Sequence, residues 1–132
     1  MRVSPDDVPV RIDLQNATVR QELNFGDATG FGKISVEYFS LSAGTDISSL
    51  LQGLEGDLCQ SPHWGYIIEG QLSVCFSDGH CEETNSQDLF HWPPGHTVRA
   101  DKDTKMILFS PQNERSQVID HIVNKIQIEA QG

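Results

Sequence analysis

The strongest constraint on this chain is a series of short segments with strand-like composition that end at turn signals. Residues 33–41, for example, are rich in β-branched and aromatic side chains and stop before Ala43-Gly44. Strands this short, at this spacing, predict an all-β fold, either an antiparallel sandwich or a small barrel. The predicted strands are 19–25, 33–41, 64–68, 71–77, 81–84, 88–92 and 105–109.

The C-terminal segment has a different pattern, because its apolar residues recur at steps of three and four between residues 114 and 127. This spacing is typical of an amphipathic helix. The end of the segment stays open, since Ile126-Gln127-Ile128 also alternates as a strand would. With 132 residues the chain predicts a single domain, 1–132, with a helix or helix-like tail outside the barrel.

The charge of the chain argues against nucleic acid and membrane partners. Nine Lys and Arg stand against 19 Asp and Glu, for a formal net charge of −10. Such a field repels phosphate backbones and anionic lipid headgroups, although the same charge also serves solubility. Because no apolar run has the length of a membrane span or a signal peptide, we expect a cytoplasmic protein.

The three cysteines do not suggest a disulfide framework, because their number is odd. Asp78-Gly79 predicts a two-residue hairpin turn, whose register places Cys75 and Cys81 on opposite faces of the sheet. These two residues are therefore predicted not to form a bond. Cys59 is left as the cysteine of functional interest.

Two stretches carry the candidate chemistry, CQSPHWGYIIEG at residues 59–70 and DLFHWPPGHTV at residues 88–98. Each pairs a strand with histidine and a tight turn, and a hairpin separates them. In this order they resemble the two motifs of the cupin superfamily. The resemblance covers about residues 34–111 and implies a small β-barrel, also called a double-stranded β-helix or jelly-roll, that holds a metal ion between facing strands.

The first motif departs from the usual cupin pattern, and the chain looks like a small single-domain bacterial cupin with a Cys/His variant. His63 falls where the usual glutamate would sit, while Gly56 and Leu58 fall where the usual histidines would. In the second motif Val98 takes the usual histidine position, but His96 shares its strand face. The usual ligand set is therefore absent, and the resemblance does not supply an activity.

A different ligand set follows from the residues themselves. Cys59 and His63 lie four positions apart, and a barrel wall could bring His96 across to them. Three nitrogen and sulfur ligands leave one position open, as in catalytic metal sites. A thiolate with imidazoles favours one divalent transition metal, zinc before iron or copper. His91 is a further candidate for the metal or pocket, because its face cannot be counted through Pro93-Pro94-Gly95.

Strand parity predicts the pocket beside this metal. If His63 faces inward, Gly65 and Ile67 do so as well, and the missing side chain at Gly65 would leave room for a ligand. Trp92 and Val98 are predicted to line the same pocket.

Each of these candidates has an ordinary structural interpretation as well. Cys59 could be an inert buried thiol, and His63 a hydrogen-bonded structural residue. Trp92 could pack in the core or in a dimer interface.

Two function classes stay open. The first is a metalloenzyme acting on a small organic molecule in the barrel, and the second is a non-catalytic binding or sensing module with a structural metal site. The second gains support because no carboxylate is visibly placed as a general base. Since the edges of such sheets are often covered by a second copy, we also expect a homodimer built partly from the strands of residues 19–41.

Overall fold

A computed structural model describes residues 1–26 and 30–131 and confirms the all-β prediction. Within these residues the chain forms nine strands and two α-helices. The strands are β1 (Val10–Leu14), β2 (Ala17–Glu22), β3 (Ile34–Leu41), β4 (His63–Glu69), β5 (Gln71–Phe76), β6 (Cys81–Asn85), β7 (Leu89–Trp92), β8 (His96–Ala100) and β9 (Thr104–Pro111). The helices are α1 (Ser48–Leu51) and α2 (Gln112–Gln131), and 3₁₀ turns lie at Pro5–Asp7 and Glu55–Asp57.

The strands form two antiparallel sheets, as the strand spacing predicts. Six strands lie in the order β1-β2-β3-β9-β4-β7, and three in the order β6-β5-β8. Because side chains alternate across a strand, one face of each sheet supplies the core. In β9 the buried side chains are Thr104, Met106, Leu108 and Ser110. They face a cluster of buried apolar residues contributed by both sheets, namely Ala17, Leu41, Ile67, Leu72, Val74, Trp92, Val98 and Ala100.

The C-terminal segment is helical throughout, which settles the ambiguity at residues 126–128 in favour of a helix. Its buried stripe of Val118, Ile119 and Ile122 packs against Ile12 and Leu51 in a second apolar cluster. The helix therefore covers one side of the barrel and does not hang free of it. Across the described ranges, no helix is long and apolar enough to span a membrane.

Two strands were not predicted from the sequence, β1 and β8. Both are only five residues long. The apolar and charged residues of β1 alternate as in a half-buried strand, but they follow a proline-containing polar segment, whereas β8 has only Val98 and Ala100 as apolar residues. Their presence changes the argument for a dimer. The outer strands of the six-stranded sheet are β1 and β7, so β2 and β3 already have a partner on each side and offer no free edge.

The prediction that Cys75 and Cys81 cannot form a bond is wrong. The two residues are direct partners in the β5–β6 hairpin, and a disulfide joins them. The turn contains one residue more than predicted, because Phe76 pairs with His80 through its backbone and Gly79 takes a left-handed conformation with φ 92°. Three-residue loops of this kind require glycine at that position. The extra residue shifts the register and puts both sulfurs on the same face.

Candidate metal centre

The three side chains predicted as ligands lie together inside the barrel. His63 is the first residue of β4 in the larger sheet, and His96 is the first residue of β8 in the smaller one. The loop before β4 carries Cys59, whose backbone N–H donates to the His96 carbonyl at 2.8 Å. One candidate ligand atom from each side chain lies within 4.8 Å of the other two. All three residues are 2% exposed.

The spacing of Cys59 and His63 fits two ligands of a tetrahedral metal ion. Sγ of Cys59 lies 3.5 Å from Nε2 of His63. Two ligands of a tetrahedral zinc, with bonds near 2.3 Å for sulfur and 2.0–2.1 Å for nitrogen, would be separated by about 3.6 Å. This pair therefore matches the distance that a shared ion requires, and the ligand atom of His96 lies within 4.8 Å of both.

Both imidazoles are oriented by a hydrogen bond at the nitrogen away from the cluster. Nδ1 of His96 lies 2.8 Å from the carbonyl oxygen of Pro93, which can only accept, so Nδ1 carries the hydrogen and Nε2 keeps its lone pair. Nδ1 of His63 lies 2.6 Å from Oγ of Ser110 on β9. Partners of this kind fix ring orientation and tautomer in metal sites.

Burial keeps the cluster uncharged in the absence of an ion. It lowers the pKa of His63 well below its ordinary value, and the nearby Arg115 guanidinium adds to this effect. Burial also lowers the pKa of His96, to about 4. The pKa of the Cys59 thiol is raised by burial, against the opposing attraction of Arg115. The imidazoles are thus ready to coordinate near neutral pH, while the thiol must give up its proton.

A buried ion pair adjoins the cysteine, and sequence reasoning missed both of its members. Nε of Arg115, on α2, donates to both carboxylate oxygens of Glu37 at 3.0 and 2.9 Å, and its Nη1 lies 3.8 Å from Sγ of Cys59. Burial opposes the charge of Arg115, yet the carboxylate raises its pKa above the ordinary value. Burial also raises the pKa of Glu37, and the guanidinium opposes that change. Because the guanidinium of Arg115 and the carboxylate of Glu37 are paired in this geometry, both groups are charged.

The position of Arg115 in the sequence could have indicated that its side chain is buried. It stands three, four and seven positions before Val118, Ile119 and Ile122, which makes it a single cation at the start of the apolar stripe of α2. The indication for Glu37 is weaker: it is the only carboxylate in the apolar and aromatic strand β3. A charge on a buried face requires a partner, and these two partners are 78 residues apart.

Comparison with protein-family models and with curated protein sequences gives no match. Solved structures do match. An oxalate decarboxylase of Lactobacillus farciminis in complex with formate superposes with a TM-score of 0.60 at 19% identity, over 83% of this chain and 32% of that one. This chain therefore spans about a third of that protein's length. Ectoine synthase from P. lautus gives a TM-score of 0.58 at 18% identity, over 84% and 78% of the two chains.

An RmlC-like cupin from Shewanella frigidimarina covers 83% of this chain and 88% of its own, with a TM-score of 0.56 at 14% identity. The match thus covers most of both chains. The chain has the cupin fold. This confirms the family resemblance that the two motifs indicate, at the level of the fold.

A cavity inside the barrel lies beside the three candidate ligands. It has a volume of about 40 Å³ and is lined by their side chains, by Trp92, Val98 and Arg115, and otherwise by apolar residues. Trp92 and Val98, two of the residues predicted to line the pocket, are thus in contact with this cavity. Ile67 faces inward and is fully buried, but it belongs to the core next to the cavity.

The expectation that Gly65 leaves room for a ligand is wrong. A Cβ at this position would lie 2.2 Å from the Ile107 carbonyl oxygen and 2.5 Å from the Phe90 ring. Phe90 is the cross-strand partner of Gly65 and stacks on Trp92 with ring centroids 4.0 Å apart. The space is thus occupied by an aromatic ring, and Gly65 permits close packing of β4 on its neighbours.

His91 lies away from the cluster. It pairs with Trp64 across β4 and β7 and stacks on its ring at a centroid distance of 4.9 Å. Trp64 is 48% exposed, so both rings lie on the outer face of the sheet. His91 is therefore neither a ligand nor part of the inner cavity.

Proposed function

We propose that this cupin binds one divalent transition metal through Cys59, His63 and His96 and acts as a metalloenzyme on a small organic molecule. The observation that carries the proposal is the orientation of the imidazoles. Each engages Nδ1 with a partner outside the cluster, which leaves Nε2 available beside the Cys59 sulfur. Zinc suits this donor set best, with iron or copper next.

The chain's own residues define what the site can do. When bound, a divalent ion with three protein ligands supplies a Lewis acid with one open position. His63 and His96 hold the donor nitrogens, Cys59 contributes a soft negative charge, and apolar walls limit access of water to the cavity. The buried guanidinium of Arg115 lies where it can orient the thiolate.

A binding or sensing module is the second candidate. Among the described residues that line the cavity, none is a carboxylate that could act as a general base. The two functions can be separated by a thermal-shift screen of the metal-loaded protein, after which each ligand found is incubated with the protein and analysed by mass spectrometry. Recovery of an unchanged ligand after long incubation supports the module, whereas a new product in the mass spectrum supports the enzyme.

Elemental analysis of untagged protein tests the metal site directly. We expect about one equivalent of transition metal per chain, and loss of most of it in His63→Ala and His96→Ala, because each removes one of three ligands. Cys59→Ser should also lose metal and shift preference away from zinc. His91→Ala is the matched control, since its ring lies on the outer face. Full metal content in both ligand variants would refute the proposal.

We also propose that the protein forms a homodimer through the outer face of the six-stranded sheet. Tyr66, Leu89 and Phe109 are 37%, 84% and 40% exposed there, in neighbouring strands. A contiguous apolar face of this kind is typical of an interaction site. Light scattering should give the mass of a dimer at micromolar concentration and of a monomer for Tyr66→Lys/Leu89→Glu. A monomeric mass for the unaltered protein would refute the dimer.

A further inference from the structure

We propose that the cavity beside the metal centre takes a small monoanion, such as a carboxylate or pseudohalide of about three non-hydrogen atoms. The inference rests on the proposed metal site and adds the charge and size of what binds there. Three features of the cavity carry it: the balance of buried charges, an unpaired hydrogen-bond donor and the volume.

The first feature is the balance of charges. With a divalent ion bound, the Cys59 thiolate cancels one of its two positive charges, and the imidazoles are neutral. Glu37 and Arg115 cancel each other. Among the described residues lining the cavity there is no carboxylate that could compensate for the rest. One positive charge is therefore left in an apolar enclosure, where an unpaired charge is costly, and a ligand with a single negative charge removes it.

The second feature is the indole of Trp92. The side chain is 1% exposed and lines the cavity, and its Nε1–H has no hydrogen-bond partner among the described residues. Buried donors normally have a partner, so this one indicates a missing acceptor. Stacking on Phe90 holds the ring in place. An anion in the cavity would accept this hydrogen bond with an oxygen or nitrogen atom.

The third feature is the volume. The cavity measures about 40 Å³. A cavity that holds one water measures at least about 10–15 Å³, so this one suits a ligand of only a few non-hydrogen atoms. Formate and azide fit this limit, whereas pivalate exceeds it. A dianion is disfavoured as well, because it would reverse the sign of the buried charge.

The test is a titration of the Co²⁺-loaded protein, followed by its d–d and thiolate charge-transfer absorption. Metal content is measured first. We expect azide and formate to shift the spectrum with saturation, and formamide, the neutral counterpart of formate, and pivalate to bind at least tenfold more weakly. Trp92→Phe keeps a ring but removes the N–H, and it should weaken formate about tenfold, as expected for a hydrogen bond to a charged group. Trp64→Phe, on the outer face, should leave the affinity unchanged.

The outcomes separate this inference from the proposal on which it rests. A protein that takes up no Co²⁺ refutes the metal site and the anion site together. A loaded protein that ignores azide and formate, or binds formamide as tightly as formate, refutes the anion site alone. Binding that persists in metal-free protein marks an adventitious ion only and also refutes it. If Trp92→Phe loses no affinity while its circular dichroism spectrum stays native, the role given to the indole is wrong.

Discussion

Removal of the Arg115 cation should destabilise the protein severely, because it leaves a buried negative charge without its partner. In Arg115→Met, the carboxylate of Glu37 is left fully buried without its partner. Breaking a buried pair in this way costs about 3–5 kcal/mol. A domain of 132 residues has a free energy of unfolding of roughly 7–20 kcal/mol, at about 0.05–0.15 kcal/mol per residue. The variant should therefore fold but lose a large fraction of its stability.

The loss should depend on pH in a direction that identifies Glu37 as its cause. Burial raises the pKa of this carboxyl, and without the Arg115 guanidinium only the weaker attraction of Arg11 opposes the change. A carboxyl whose pKa is higher in the folded state holds its proton more tightly there, so stability falls as the pH rises above the unfolded value of 4.5. The deficit of Arg115→Met should accordingly be larger at pH 8 than at pH 5.

Urea unfolding at both pH values, on metal-free protein, provides the measurement. The double variant Glu37→Leu/Arg115→Met removes both charges and should recover most of the loss, and with Glu37→Leu alone it completes the cycle that gives the coupling of the pair. Arg99→Met is the control, because the Arg99–Asp101 pair lies at the surface and should be worth less than about 1 kcal/mol. A deficit below about 1 kcal/mol for Arg115→Met, or one that grows on acidification, would refute the reasoning.

Three further predictions concern other parts of the molecule. The pKa of His96 falls from 6.5 to about 4 on folding, so this group alone should cost metal-free protein about 3 kcal/mol of stability as the pH drops from 7 to 4, and the lowered pKa of His63 acts in the same direction; a flat profile would contradict this, and His96→Gln should reduce the slope. Gly65→Ala should cost about 1–3 kcal/mol in urea unfolding, because the new methyl group meets backbone and the Phe90 ring; unchanged stability would show that the strands can separate there. Unreduced, denatured protein should expose one thiol per chain, and Cys75→Ser/Cys81→Ser should lose about 2 kcal/mol, as expected for so short a loop; three thiols would disprove the bond.

The fold was largely predictable from local patterns, whereas the long-range partners of the site were not. Turn signals and period-two alternation locate seven of the nine strands, and the three- and four-residue steps locate α2. Cys59, His63 and His96 could be proposed together because the thiol and the two imidazoles lie in the two stretches that resemble the cupin motifs. Glu37 could not be assigned to the site, because no feature of its own strand indicates that its partner lies on a helix 78 residues along the chain.

The two errors have different physical origins, the count of residues through a turn and the packing of a neighbouring side chain. One additional residue in the β5–β6 loop reverses the relative face of Cys75 and Cys81, and parity then gives the opposite answer about their bond. At Gly65 the parity was right but the inference of free space was wrong. An absent side chain can be filled by a neighbour, here Phe90, and only the packing of the partner strand decides which occurs.

The distribution of the centre along the chain has a consequence for the order of folding. Cys59 and His63 are near neighbours, but the contact of Arg115 with Cys59 closes a separation of 56 residues, and that of Ser110 with His63 one of 47. Contacts between distant segments form slowly, because the entropy of closing a long loop must first be overcome. For the proposed metal site, we therefore expect uptake of the ion during refolding to be no faster than the docking of α2 and the pairing of β9 with β4, which bring Arg115 to Cys59 and Ser110 to His63.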